Sequence, residues 1–355
     1  MEVKFKDGDG FYPKLFPYCF FIIITFGIYL PWGMTAIRQE IWARTSLAGE
    51  RFYYLGRVKE LIYGYVLLLF ILLISKGAQY SFPYIFPGNI VLITIATIFG
   101  SLIFFTLVYK AKLGSFRYQV NRTLYNGIRF STELDSLKKQ YLTCLKWGVI
   151  TFVTLGFAFP YFVFKTDIIK YNSLRYGSEK FRFTMTFSDY MNIVLKHSLI
   201  LIFLFIAAVA TFTMGQVYFK QLYLDKSPLL LAGGILIGIV AFLTYMFFVS
   251  SLFVNLFRKK VECLSSENIK FTTTITIVRA VKYHLINAAI LLFTLGLGFP
   301  LALANNIKLY ANTINVEGAD ILISQSGNDE KENKAASAFD DMFSDSFSLD
   351  MFDAF

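Results

Sequence analysis

Long apolar runs alternate with short basic segments along this chain. Four runs are uninterrupted: Leu61–Lys76, Gly88–Lys110, Met191–Gly215 and Leu229–Phe257. Each approaches the roughly 20 residues that cross a bilayer as a helix. Three further runs, Leu15–Gly33, Tyr141–Phe164 and His284–Ala304, carry a break in the middle. The first break reads Thr25-Phe26-Gly27-Ile28-Tyr29-Leu30-Pro31. It returns as Thr154-Leu155-Gly156-Phe157-Ala158-Phe159-Pro160 and as Thr294-Leu295-Gly296-Leu297-Gly298-Phe299-Pro300. Gly and Pro interrupt a helix, and in a bilayer the freed backbone groups must be buried in protein or face water.

Between the runs lie cassettes with a form of their own. Arg38–Tyr54 turns at Gly49 and ends on Arg51-Phe52. Arg117–Ser131 turns at Asn126-Gly127 and ends on Arg129-Phe130. Ile168–Thr184 turns at Gly177 and continues as Lys180-Phe181-Arg182-Phe183. Leu256–Thr274 keeps Lys270-Phe271 after Asn268, and Ile307–Ile323 keeps only Gly318. Each cassette reads as a helix leaving the membrane, a turn, then a short alternating strand. These strands are expected to pair into small cytoplasmic sheets packed on the helices, because a lone two-stranded hairpin is marginal in water.

The charge pattern selects between two topologies. If all seven runs span, successive basic segments fall on opposite sides of the membrane. If each broken run enters and leaves on one face, turning at Gly27, Gly156 or Gly296, the external loops hold only Lys76, Lys220 and Lys226 of the 34 Lys and Arg residues. Basic residues concentrate on the cytoplasmic side. The expected fold is therefore an α-helical polytopic membrane protein with internal repeats. It has four full spans, three broken, re-entrant helical hairpins and short cytoplasmic β-strand cassettes, with seven full spans as the alternative. Both termini are then cytoplasmic. The expected segments are an N-terminal strand (1–14), two membrane repeats (15–140 and 141–281), a partial third (282–324) and an acidic tail (325–355).

Composition supports the membrane reading: 56% of residues are hydrophobic and only 16% are charged, against about 25% charged in soluble domains. The net charge of +10 follows from the basic loops, and no nucleic-acid partner is expected. The tail departs from this, with eight acidic and two basic residues over 325–355 and Phe339, Phe343, Phe347, Phe352 and Phe355 set among the acids. Such a segment suits docking on a basic surface, either a protein partner or this chain's own cassettes.

Candidate chemistry is sparse. Cys19, Cys144 and Cys263 form no spaced pair, so neither a disulfide nor a zinc site is expected. His197 and His284 have no second ligand at close spacing. Lys146 reads as snorkelling to the interface. No nucleophile–base, zinc-protease or phosphate-loop motif is present, so no enzyme activity, cofactor or metal is expected.

The order of features resembles the YjgN family of bacterial inner-membrane proteins. The matching residues are Phe5-Lys6-Asp7-Gly8-Asp9-Gly10, Phe16, then Thr25 to Pro31 with Trp32, then Leu47-Ala48-Gly49-Glu50-Arg51-Phe52 and Gly56. The later breaks depart from it, with Tyr161 and Leu301 where the first has Trp32. The resemblance implies a bacterial cytoplasmic membrane and no activity.

Two functions are compatible with these residues. In one, Thr25, Gly27, Pro31, Thr154, Gly156, Pro160, Thr294, Gly296 and Pro300 line the pathway of a transporter or channel-like protein for a small solute. In the other, the protein is a scaffold that grips anionic lipid through Arg51, Phe52, Arg129, Phe130, Lys180, Arg182 and Lys270. The lipid bilayer is the expected partner in both, and self-association is open.

Overall fold

The computed structural model describes residues 1–6, 8, 10–133, 136–154, 156–200, 202, 206 and 228–324. Most of the expected span Met191–Gly215 and the whole acidic tail lie outside these residues. Strand β1 (Val3–Phe5) leads into helices α1 (Phe11–Ile24) and α2 (Leu30–Arg44). The hairpin β2 (Thr45–Leu47) and β3 (Glu50–Tyr54) precedes α3 (Val58–Ile85) and α4 (Ile90–Asn121). The next hairpin, β4 (Thr123–Tyr125) and β5 (Ile128–Thr132), precedes α5 (Ser136–Val153) and α6 (Phe159–Asn172). Then come β6 (Leu174–Tyr176), β7 (Glu179–Lys180), β8 (Arg182–Phe183) and a helix over 187–200, α7. The chain closes with α8 (Pro228–Glu262), β9 (Leu264–Ser265), β10 (Lys270–Thr273), α9 (Ile277–Phe293), α10 (Phe299–Ala311), β11 (Ile314–Glu317) and α11 (Ala319–Ser324).

The eleven strands among the described residues form a ring. Strands β1 to β7 pair in sequence order, all antiparallel, and β8 to β11 do the same. Strands β7 and β8 are one run of chain kinked at Phe181, whose amide still donates to Leu174 at 3.1 Å while Arg182 already pairs with Ser265. The run thus switches from one sheet to the other at a corner. The other seam is closed by Met1 and Val316, which exchange backbone hydrogen bonds at 2.6 and 2.7 Å, and by a bridge from Glu2 to Asn315. Inside the ring lie Leu47, Tyr125, Ile128, Tyr176, Phe181, Ile269 and Val316, with Ala319 and Leu322 of α11 against them. Every long helix joins the ring at one rim, and the β-turns occupy the other. Two turns, Ala48-Gly49 and Asn126-Gly127, hold both central residues at positive φ, the two-residue form that matches strand twist.

The expected fold class is corrected by this architecture. A polytopic helical membrane protein of four or seven spans, with its strands in small separate cassettes, does not place strands from the whole length of the chain into one ring. Among the described residues one helical segment, Leu236–Glu262 in α8, is long and apolar enough to cross a membrane. The broken runs are pairs of arms: α1 and α2 have 14 and 15 residues, α5 and α6 have 18 and 14, and α9 and α10 have 17 and 13. At 1.5 Å per residue the arms reach about 20–27 Å, short of the roughly 30 Å hydrocarbon layer. The cassettes also differ from expectation. The residues before each turn form a first strand, and the hairpins join one ring rather than small separate sheets. Ring closure pairs the edges that isolated hairpins would leave open.

The helices pack through distinct clusters above the ring. Arms α1, α2 and α10 meet at Phe11, Leu15, Cys19, Ile37, Leu303 and Ala304. Helix α6 meets α7 at Phe164 and Tyr190. An ion pair between buried Asp167 and half-buried Lys260, 2.6 Å to Nζ, ties α6 to α8.

Candidate functional site

The three breaks fold alike. The amide of Gly27 donates to Ile22 O at 2.8 Å, that of Gly156 to Thr151 O at 2.8 Å and that of Gly296 to Leu291 O at 2.9 Å. All three glycines have φ near +90°, as in a Schellman-type helix end. Each preceding Thr hydroxyl serves twice. Thr25 donates to Phe21 O and accepts from the Tyr29 amide; Thr154 donates to Ile150 O and accepts from Ala158; Thr294 donates to Ile290 O and accepts from Gly298. Pro31, Pro160 and Pro300 then start the second arm, where a missing N–H costs nothing.

These candidate pathway residues are therefore engaged in their own turns. Gly27 O also accepts from Tyr65 at 2.8 Å. The first and third turns are neighbours, since a Cβ on Gly296 would stand 3.9 Å from Ile23, whereas Gly156 has nothing that close. At the tips the apolar side chains are bare: Phe26 is 97% exposed, Phe157 86% and Leu295 88%. Neither of the two clefts described below includes any of the nine residues.

The basic candidates fall into a different pattern. Directly opposed residues of antiparallel strands share a face. Lys4 opposes Ser46, which opposes Arg51; Tyr53 opposes Leu124, which opposes Arg129; Ser131 opposes Arg175, which opposes Lys180. On the other arc Arg182, Ser265, Lys270 and Glu317 stand in one row. This face is the outside of the ring. Strand alternation sends the aromatic member of each pair inward: Phe52 stacks on Tyr125 at 4.7 Å and Phe130 on Tyr176 at 4.8 Å. So the structure gathers Arg51, Arg129, Lys180, Arg182 and Lys270 on one surface and removes Phe52 and Phe130 from it.

Part of this charge is neutralised. Arg175 and Lys180 face Glu133, and Arg182 faces Glu267 at 3.7 Å. Among the described residues Lys4, Arg51, Arg129 and Lys270 are exposed and have no ion-pair partner. Two clefts open here. The larger, about 910 Å³, runs from α1 and α2 down the outside of the ring. It is lined by Lys4, Lys6, Lys14, Arg44 and Arg51 against Glu2 and Glu40. Burial raises the Glu40 carboxyl, but Arg44 at 2.7 Å and Lys14 at 3.3 Å outweigh it and hold the pKa below the usual carboxylate range. Glu40 is thus ionised at neutral pH, and the described side chains lining the cleft are net positive. The smaller cleft, about 500 Å³, is lined by Arg57, Arg122, Arg129 and Glu60, with Tyr54 and Gly56.

A family model for bacterial proteins of unknown function, DUF898, matches residues 19–342. The chain belongs to the DUF898 family. The YjgN resemblance read from the first 60 residues is in line with this, and membership extends it to nearly the whole DUF898 chain. No curated protein and no solved structure matches it.

Sequence reasoning missed the polar contacts between helices. His197 Nε2 stands 3.0 Å from Ser251 Oγ, with Asn255 alongside, and His284 Nδ1 stands 2.8 Å from Ser250 Oγ. Asn287 joins Asn306 and Asn305 at 2.8 and 3.0 Å. Ser250, Ser251 and Asn255 interrupt an otherwise apolar run, which was the available signal. Burial lowers the His284 pKa, so this imidazole is neutral at pH 7. Among the described residues no group of three His, Cys, Asp or Glu could hold a metal ion.

Proposed function

We propose that this protein is a membrane-anchored scaffold that holds anionic lipid headgroups on the outside of its strand ring. The observation that carries this reading is the set of exposed Lys4, Arg51, Arg129 and Lys270 on the outer face of the ring, without ion-pair partners among the described residues, in a protein whose helical arms end in bare apolar tips. Segment Leu236–Glu262 and the apolar tips supply the anchor. The membrane is the bacterial inner membrane, with the ring on the cytoplasmic side where basic residues concentrate. A basic residue near an anionic surface contributes about 1 kcal/mol. The test is native mass spectrometry of the detergent-purified full chain with phosphatidylglycerol or phosphatidylcholine of the same acyl length. Arg51→Gln, Arg129→Gln and Lys270→Gln together should lower retained phosphatidylglycerol by about tenfold or more and leave phosphatidylcholine unchanged. Equal retention of the two lipids, or no loss in a variant that melts like the parent, overturns the reading.

A further inference from the structure

We infer that the chain's own acidic tail, residues 325–355, docks in the cleft lined by Lys4, Lys6, Lys14, Arg44 and Arg51. Three independent observations single out this occupant. The first is charge. Among the described residues, five basic side chains line the cleft against two acids, and Lys4, Lys6 and Arg51 have no ion-pair partner. The tail carries eight acids and two basic residues, a net −6 in a chain of net +10.

The second is place. Met1 and Glu2 line the cleft, and both are tied to β11 by the Met1–Val316 hydrogen bonds and the Glu2–Asn315 bridge. The described chain ends at Ser324, eight positions after Val316, with Leu322 held in the ring core. The tail therefore starts within the ring that carries the cleft, and 31 residues extend up to about 100 Å. A tethered segment meets its site at an effective concentration of the order of millimolar.

The third is chemistry. Asp340, Asp341 and Asp345 alternate with Phe339, Met342, Phe343 and Phe347. The cleft mixes its cations with Met1, Ala43, Ala48 and Gly49, so it offers both ion pairs and apolar contact to such a segment. The docking itself does not depend on the lipid reading. Its consequence does: a docked tail competes with lipid phosphate for Lys4, Lys6 and Arg51 and makes the cleft a self-regulated site.

The test is zero-length carboxylate-to-amine cross-linking of the full native chain, followed by peptide mass spectrometry. Isotope-mixed protein separates links within a chain from links between chains. Links from tail acids to Lys4, Lys6 or Lys14 are expected at low salt, and they should fall about fivefold or more at 1 M salt, where the screening length is about 3 Å. Tail links spread over lysines elsewhere, links between chains only, or no tail links at all overturn the docking. In a full chain with Asp340, Asp341, Asp345, Asp350 and Asp353 changed to Asn, the carboxylates that remain, Asp329, Glu330 and Glu332, should lose their links to Lys4, Lys6 and Lys14, and the protein should retain about threefold more phosphatidylglycerol at low salt. Salt-sensitive links in the parent chain, with the Asp329, Glu330 and Glu332 links lost in the variant and no phosphatidylglycerol preference in either protein, leave the docking standing and remove the lipid reading. A lipid preference without tail links does the reverse.

Discussion

Gly318 sits at φ +80°, and a Cβ placed there would overlap the backbone carbonyl of Asn268. Gly49 has a similar φ of +95° with open space around it. The two positions separate backbone preference from steric exclusion. Gly49→Ala should cost about 1–2 kcal/mol, the price of a left-handed residue. Gly318→Ala should cost about 3 kcal/mol or more, because the carbonyl belongs to the backbone beside Ile269, which is fully buried in the ring core, and has little room to move. Chemical unfolding of the two purified variants checks this; equal losses would show that the β11–α11 turn yields easily. Gly318 was visible in the sequence as a turn residue. The neighbour that makes it intolerant, Asn268, is 50 positions away and was not.

At the scale of elements, the broken runs show what spacing conveys. The Thr-x-Gly-x-x-x-Pro pattern announced three interrupted helices, and the turns form at those residues with the Thr hydroxyl bonding both ways. Arm length was equally readable: measured across the break each run is of membrane length, which suggested the seven-span alternative, whereas the separate arms are shorter. Contacts between elements were less legible. Asp167 and Lys260 meet in the packing of α6 against α8. Lys260→Met should destabilise the chain by about 3–5 kcal/mol, since it leaves a buried carboxylate unpaired. Adding Asp167→Leu should recover most of that loss. Thermal unfolding of both singles and the double measures the coupling; additive losses would mean the pair is not a unit.

For the whole molecule, ring closure is the decisive feature. Tyr176 is fully buried, and its hydroxyl faces the carbonyl oxygens of Tyr125 at 3.0 Å and Leu322 at 3.1 Å, which links the ring wall to α11. Tyr176→Phe should cost about 1–3 kcal/mol through the unsatisfied carbonyls and should speed hydrogen exchange in α11 ahead of the strands. Exchange that rises evenly across the ring would show that α11 is not held separately.

By itself the sequence determined the local grammar of this protein. The turn glycines, the Asn126-Gly127 turn, the Gly- and Pro-broken runs and the alternation of Lys/Arg with Phe all act within a few residues, so their physical consequences can be read in place. Alternation sends Arg51 and Phe52 opposite ways, yet the lipid reading grouped them, and the ring core that takes Phe52 in was not visible in sequence. Only the tertiary structure decided that strands more than 300 positions apart close one ring, as Met1 and Val316 do. It also decided that Lys4, Lys6 and Arg51 share a cleft and that the helical arms are short stems above that ring. Strand pairing is chosen by edge satisfaction and burial summed over the whole chain, and no window of sequence contains that sum.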